Sequence, residues 1–180
     1  MEVGGELFYI CWLRQWYMRR FFYLLMFGAT CGLMACETDT AASQDWPELN
    51  LLQYEVPVKV RAPEGTSVKS DNLGILQDVT LTGPDGYHVQ LYVAEALGMP
   101  AAEVLQEQRK EVESMRYFAA VTEEFPDAFL FRVVVDTSQI SYDFRHVKVV
   151  GNKEMVFQTG LTSNSTEAEA KAMLAAIREE

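Results

Sequence analysis

His88 and His146 are the only side chains in the sequence that ordinarily titrate near neutrality, so acid–base or metal chemistry would have to begin with them. A Ser-His-Asp triad needs nucleophile, base and orienting acid in contact, and no GxSxG elbow surrounds any serine. Zinc needs three or four ligands; the chain has no HExxH and no paired histidine spacing. Glycoside hydrolysis needs two facing carboxylates, and Glu123, Glu124, Asp127, Asp136 and Asp143 are of the right type. Nothing in their spacing pairs any two of them. Asp85-Gly86 resembles a fragment of a calcium loop, but the other oxygen ligands are missing, so it reads as a turn. The sequence therefore predicts no catalytic residues, no metal site, no cofactor and no enzyme, with each histidine a strand or surface residue.

Cysteine chemistry is confined to the beginning of the chain. Cys11, Cys31 and Cys36 are its three cysteines, so the remainder forms no internal disulfide. The chain carries 26 acidic and 15 basic residues, and 24 and 12 of these follow Cys36. So acidic a domain is repelled by phosphate backbones and anionic headgroups, which excludes nucleic acid as a partner. At a membrane, such a domain would have to be held by lipid.

The stretch from Met18 reads MRRFFYLLMFGATCGLMAC. Arg19 and Arg20 supply a positive start, and residues 21–33 an apolar run shorter than the roughly 20 residues of a spanning helix. Leu33-Met34-Ala35-Cys36 then resembles the lipobox of bacterial lipoproteins, with Leu33 and Ala35 as the signal-peptidase recognition residues. Met34 is bulkier than is usual at that position. The resemblance implies cleavage before Cys36 and acylation of its thiol, so acyl chains on Cys36 would join the protein to a membrane. Membrane anchoring by an uncleaved helix and secretory cleavage after Ala35 are the alternatives. Residues 1–17 contain Glu2 and Glu6 and do not suit the start of a signal peptide, so they read as a mis-assigned extension with Met18 the initiator. The expected organisation is 1–17 extension, 18–35 signal peptide, 36–50 flexible tether and 51–180 a single domain.

The elements of that domain follow from alternation and turn chemistry. Residues 56–61 alternate as one strand, and runs 75–82 and 87–94 flank Gly83-Pro84-Asp85-Gly86 as a hairpin. Tyr87, Val89, Leu91 and Val93 share one side, opposite His88, Gln90 and Tyr92. After Pro100, residues Val104, Leu105, Gln108, Val112 and Met115 recur at helical spacing. Strands 117–124 and 128–136 flank Phe125-Pro126-Asp127, and 140–150 and 154–159 flank Gly151-Asn152-Lys153. Inward positions Ile140, Tyr142 and Phe144 then give way to Val147 and Val149, which predicts a bulge near Arg145–His146. Thr166 and Glu169 have capping-box spacing ahead of a helical stripe of Ala170, Met173, Leu174 and Ile177. The order β-β-β-α-β-β-β-β-α predicts an α+β fold: an antiparallel sheet of six or seven strands with two packed helices.

That order, with ValLysValArgAlaProGlu early, the HisValGlnLeuTyrValAla run, MetValPheGlnThrGly late and the closing helix, resembles the Mog1/PsbP-like fold. The resemblance implies a small envelope domain and transfers no site. Aromatic residues crowd the strands, and Tyr92, Tyr142 and His88 are the candidate interaction surface, with His146 as a companion. The functional expectation is a non-catalytic cell-envelope lipoprotein acting as a protein-interaction or accessory module for an envelope protein partner. A small-ligand carrier or sensor with a pocket between sheet and helices is the alternative, and an envelope hydrolase the third class. Its place would be the outer membrane ahead of the inner, with the domain in the periplasm or at the cell surface.

Overall fold

A computed structural model describes residues 45–160 and 163–178. In chain order these form β1 (Glu48–Asn50), β2 (Lys59–Arg61), β3 (Ser67–Asn72), β4 (Leu76–Thr82) and β5 (His88–Glu95), then α1 (Ala101–Glu113). They continue through β6 (Phe118–Glu124), β7 (Ala128–Asp136), β8 (Gln139–Val150) and β9 (Lys153–Thr159) to α2 (Glu167–Arg178). Seven strands make one antiparallel sheet in the order β3-β4-β5-β9-β8-β7-β6, and β1 pairs with β2 as a separate ribbon. The fold is the expected α+β arrangement of strands and helices.

Local chemistry explains the connections. In the β4–β5 turn, Asp85 and Gly86 hold φ of 52° and 79°, a left-handed pair that lets the Gly83 N–H reach the Tyr87 carbonyl at 2.8 Å. Thr166 and Glu169 close the expected capping box: the Thr166 N–H donates to Glu169 Oε2 at 2.7 Å, and the Glu169 N–H to Thr166 Oγ1 at 3.3 Å.

The two faces of the sheet are covered differently. On one, which we term the α2 face, Val79, Leu81, Leu91, Leu130, Phe144 and Phe157 are buried beneath Met173, Leu174 and Ile177 of α2 and Val58 and Val60 of the ribbon. On the other, the α1 face, Val104 packs with Val147 and Val156, and Val112 with Phe129 and Phe131. Each buried Val, Leu or Phe side chain contributes roughly 1.5–3 kcal/mol relative to exposure. Arg109 also ties α1 to β6, reaching Glu113 at 2.9 Å and Glu124 at 2.9 Å.

Four features depart from the sequence reading. Pairing of β8 with β7 runs without a shift through Arg145 and His146, and its pairing with β9 begins at His146 in the same phase, so no bulge lies there; the irregularities are at Val134/Asp136 and within β6. The change of phase has another cause: Phe144 faces α2 while Val147 faces α1. β1 occupies residues assigned to the tether, because the Leu51 N–H donates to the Val58 carbonyl at 3.1 Å and extends the ribbon. β3 forms between the strand at 56–61 and the run at 75–82, where no strand was assigned, and pairs along its whole length with β4. Met115 lies beyond the end of α1 and is exposed rather than part of its buried stripe.

Candidate functional site

The α1 face divides into two halves. Over β6–β8 it is roofed by α1, whereas no described helix packs on it over β3–β5. Register places Asp78 beside Tyr92, and Thr80 beside Gln90, with Gln90 next to Gln158 on β9. These neighbours form a directed hydrogen-bond ladder. Gln158 Nε2 donates to Gln90 Oε1 at 3.2 Å, and Gln90 Nε2 donates to Asp78 Oδ2 at 2.8 Å. Both glutamines are buried, and a buried amide is stable only when it is so paired. The ladder ends on a carboxylate, the stronger kind of acceptor.

Tyr92 stands next to this ladder, and Arg145 bounds it on the β8 side. Burial pushes the Tyr92 phenol above its ordinary pKa, the Asp78 charge adds to this, and Arg145 opposes it, so the hydroxyl stays protonated at neutral pH. Arg145 is buried with its guanidinium 5.3 Å from the centre of the Phe131 ring, and its Nη1 donates to Asp143 Oδ2 and the Phe144 carbonyl, each at 2.9 Å. The other carboxylate oxygen of Asp143 accepts from the Phe144 N–H at 2.7 Å, the Thr159 N–H at 2.9 Å and Thr159 Oγ1 at 2.7 Å. His88 closes the face at the start of β5. Its ring lies so near Gly160 that a Cβ there would sit 2.3 Å from Nδ1.

Tyr92 and His88 thus share one face of the sheet, as the sequence alternation places them. Tyr142 does not join them. It pairs with Arg132 on the α2 face, near the Glu167 carboxylate at the start of α2. His146 also belongs to the α2 face and is a buried strand residue, with Nδ1 3.2 Å from the Asp127 carbonyl and its ring against Phe157. Burial holds its pKa below the ordinary value, against the pull of Asp127. Leu33, Ala35 and Cys36 lie outside the described residues.

The carboxylates considered for hydrolysis all have other engagements. Glu124 binds Arg109, Asp127 binds Arg178 at 2.9 Å, Asp136 caps its turn through Ser138, and Glu123 lies 3.9 Å from Lys171. Asp143 is committed to Arg145 and Thr159. Among the described residues no group of three or more His, Cys, Asp or Glu is placed to hold a metal ion. No described helix is long and apolar enough to cross a membrane. What the α1 face presents there is a set of polar side chains held by hydrogen bonds within the fold. Asp78, Gln90, Gln158 and Arg145 form it, and the sequence reading had not singled them out. Their signal was the outward phase of HisValGlnLeuTyrVal, legible for Gln90 but silent about β4 and β9 until strand order is known. A comparison with protein-family models, curated proteins and solved structures found no match for the chain.

Proposed function

We propose that the protein is a non-catalytic cell-envelope lipoprotein whose domain serves as an interaction or accessory module for another envelope protein. The observation that carries this reading is the point at which the chain enters the fold. Trp46 packs edge-on against Tyr87 at 5.1 Å beside the β4–β5 turn, and the Ala62 N–H donates to the Pro47 carbonyl at 3.2 Å. Trp46 therefore sits at one end of the domain, where a tether from Cys36 would join it. Two or three acyl chains on Cys36 would suffice for stable attachment, since one alone binds marginally. The half-buried Tyr92 and Asp78, on the part of the α1 face that no described helix covers, support recognition of another molecule's polar groups. No activity is carried over from the Mog1/PsbP-like resemblance, because one fold hosts unrelated functions.

The small-ligand carrier is the second reading. Its cleft between the β4–β5 turn and α2, lined by Trp46, Pro84, Tyr87, Ala172 and Met173, holds about 220 Å³. That is smaller than the roughly 300–1,000 Å³ of sites for drug-sized ligands, so this sheet–helix cleft gives the carrier reading little support. The deciding measurement is the intact mass of membrane-extracted protein, wild type beside Cys36→Ala. A species beginning at residue 36 with added acyl mass, absent from the variant, is expected. An unacylated chain retaining residues 18–35, or an unacylated soluble one starting at 36, would overturn the reading. For the module itself, association with a basic envelope protein that weakens with salt is expected; a co-purifying small molecule in its place would favour the carrier.

A further inference from the structure

Large apolar side chains are exposed at the end of the sheet away from Trp46. Leu73 and Ile75 flank Gly74 in the β3–β4 hairpin, 64% and 94% exposed, and Leu97 in the connection from β5 to α1 is 83% exposed. Ile75 and Leu97 are not isolated: they line the same cleft of about 730 Å³, with Val93 and Gln77 in its wall. Glu55 and Glu95 also line it, and so does Lys153, whose ammonium donates to the Glu55 backbone carbonyl. Clustered apolar side chains rimmed by charge mark a contact surface, whereas single exposed ones do not.

Three occupants compete for such a cleft. A second copy would bring together two chains of net charge −11, which repel one another. Anionic lipid headgroups would meet the same acidic domain, including Glu55 and Glu95 at the rim. The cleft also lies at the end of the sheet opposite the point where a tether would join the domain. Trp46 contacts Tyr87 just before β5 begins, and Leu97 follows the other end of that strand, about 25 Å away at roughly 3.3 Å per residue. A protein segment with apolar anchors and basic flanks suits both the side chains and the charge.

We propose that this cleft is the docking site for a protein partner that inserts apolar side chains between Ile75 and Leu97 and sets Lys or Arg against Glu55 and Glu95. The proposal rests on the interaction-module reading and adds the place of contact and the chemistry of the partner.

The test uses the full chain in bacterial cells, with a photo-crosslinking residue at Leu97 and, as control, at the exposed Glu111 of α1. The expected adduct forms at Leu97 and not at Glu111, and the peptide attached to it is apolar and net positive. Ile75→Glu and Glu95→Lys, tested singly, should each lower its yield by about tenfold, the loss typical of a contact anchor. Thermal melting of both variants should match wild type, since both side chains lie outside the core. An adduct to phospholipid, an adduct to a second copy, equal labelling at Glu111, or no adduct overturns the proposal. Cys36 acylation, read by mass in the same sample, separates the two ideas: an acylated chain without the adduct removes the docking cleft and leaves the anchoring reading standing.

Discussion

The two faces of one sheet have been used in opposite ways. The α2 face is an apolar floor closed by a helix and a ribbon, with Val, Leu, Met and Phe across its centre and Arg132, Tyr142 and His146 on β7 and β8. The α1 face is apolar only beneath α1; beyond it, the same strands present Asp78, Thr80, Gln90, Tyr92 and Gln158. Since β4 and β5 contribute to both faces, their backbones alone do not decide which one is core. The difference teaches that the apolar core and the polar half-face are separated by residue parity, so they should respond separately to mutation.

The largest effect should come from the α2 face. Phe144→Ala, at a fully buried position, is expected to lower stability by about 3–5 kcal/mol, read from urea unfolding. A loss below about 1 kcal/mol would break the claim that this face is the core. Next comes Asp78→Leu, which removes the acceptor of the buried Gln90 amide and should lower stability by about 1–3 kcal/mol. Replacing Gln90 and Gln158 by leucine in the same variant should recover part of this, because no orphaned amide then remains. Thr166→Ala opens the capping box of α2 and should lower stability by about 1 kcal/mol by the same assay.

His146 sharpens the comparison through pH. Burial holds its folded-state pKa below the ordinary value near 6.5, so above that pH both folded and unfolded chains carry it neutral. As pH falls through about 6.5, the unfolded chain takes up a proton that the folded one excludes, and stability drops until the folded pKa is passed. The groups facing it are Asp127, Arg178 and Lys148. Urea midpoints at pH 7.5 and 5.5 should differ more for wild type than for His146→Gln; equal differences would show that burial of this ring sets no pH dependence. The smallest change in stability should follow Tyr92→Ser, within about 1 kcal/mol, accompanied by weakened partner binding. Large destabilisation with unaltered binding would make Tyr92 a core residue after all.

Much of this architecture was legible in the sequence because it is locally encoded. Gly83-Pro84-Asp85-Gly86 and Gly151-Asn152 punctuate alternating runs, and Thr166 with Glu169 announces a helix start, each through contacts a few residues apart. β3 escaped because Ser67–Asn72 is polar apart from Val68, as an edge strand can be. The supposed bulge in β8 came from judging one strand against a single core, when helices on opposite faces bury Phe144 and Val147 in turn. The grouping of Tyr92 with Tyr142 needed cross-strand register: Tyr92 aligns through Val156 with Val147, in the odd phase of β8, while Tyr142 lies in the even phase. No local pattern within either strand contains that relation.

The contact between Trp46 and Tyr87 has an optical consequence. The chain has three tryptophans, and Trp12 and Trp16 precede Cys36. A mature chain beginning at Cys36 would keep only Trp46, a half-buried indole at the root of the tether. Its emission would then come from one place, red-shifting when the indole leaves Tyr87 for water and holding steady when strain stops short of that contact. The protein would carry its own unlabelled gauge of whether a pull on the lipid reaches the domain.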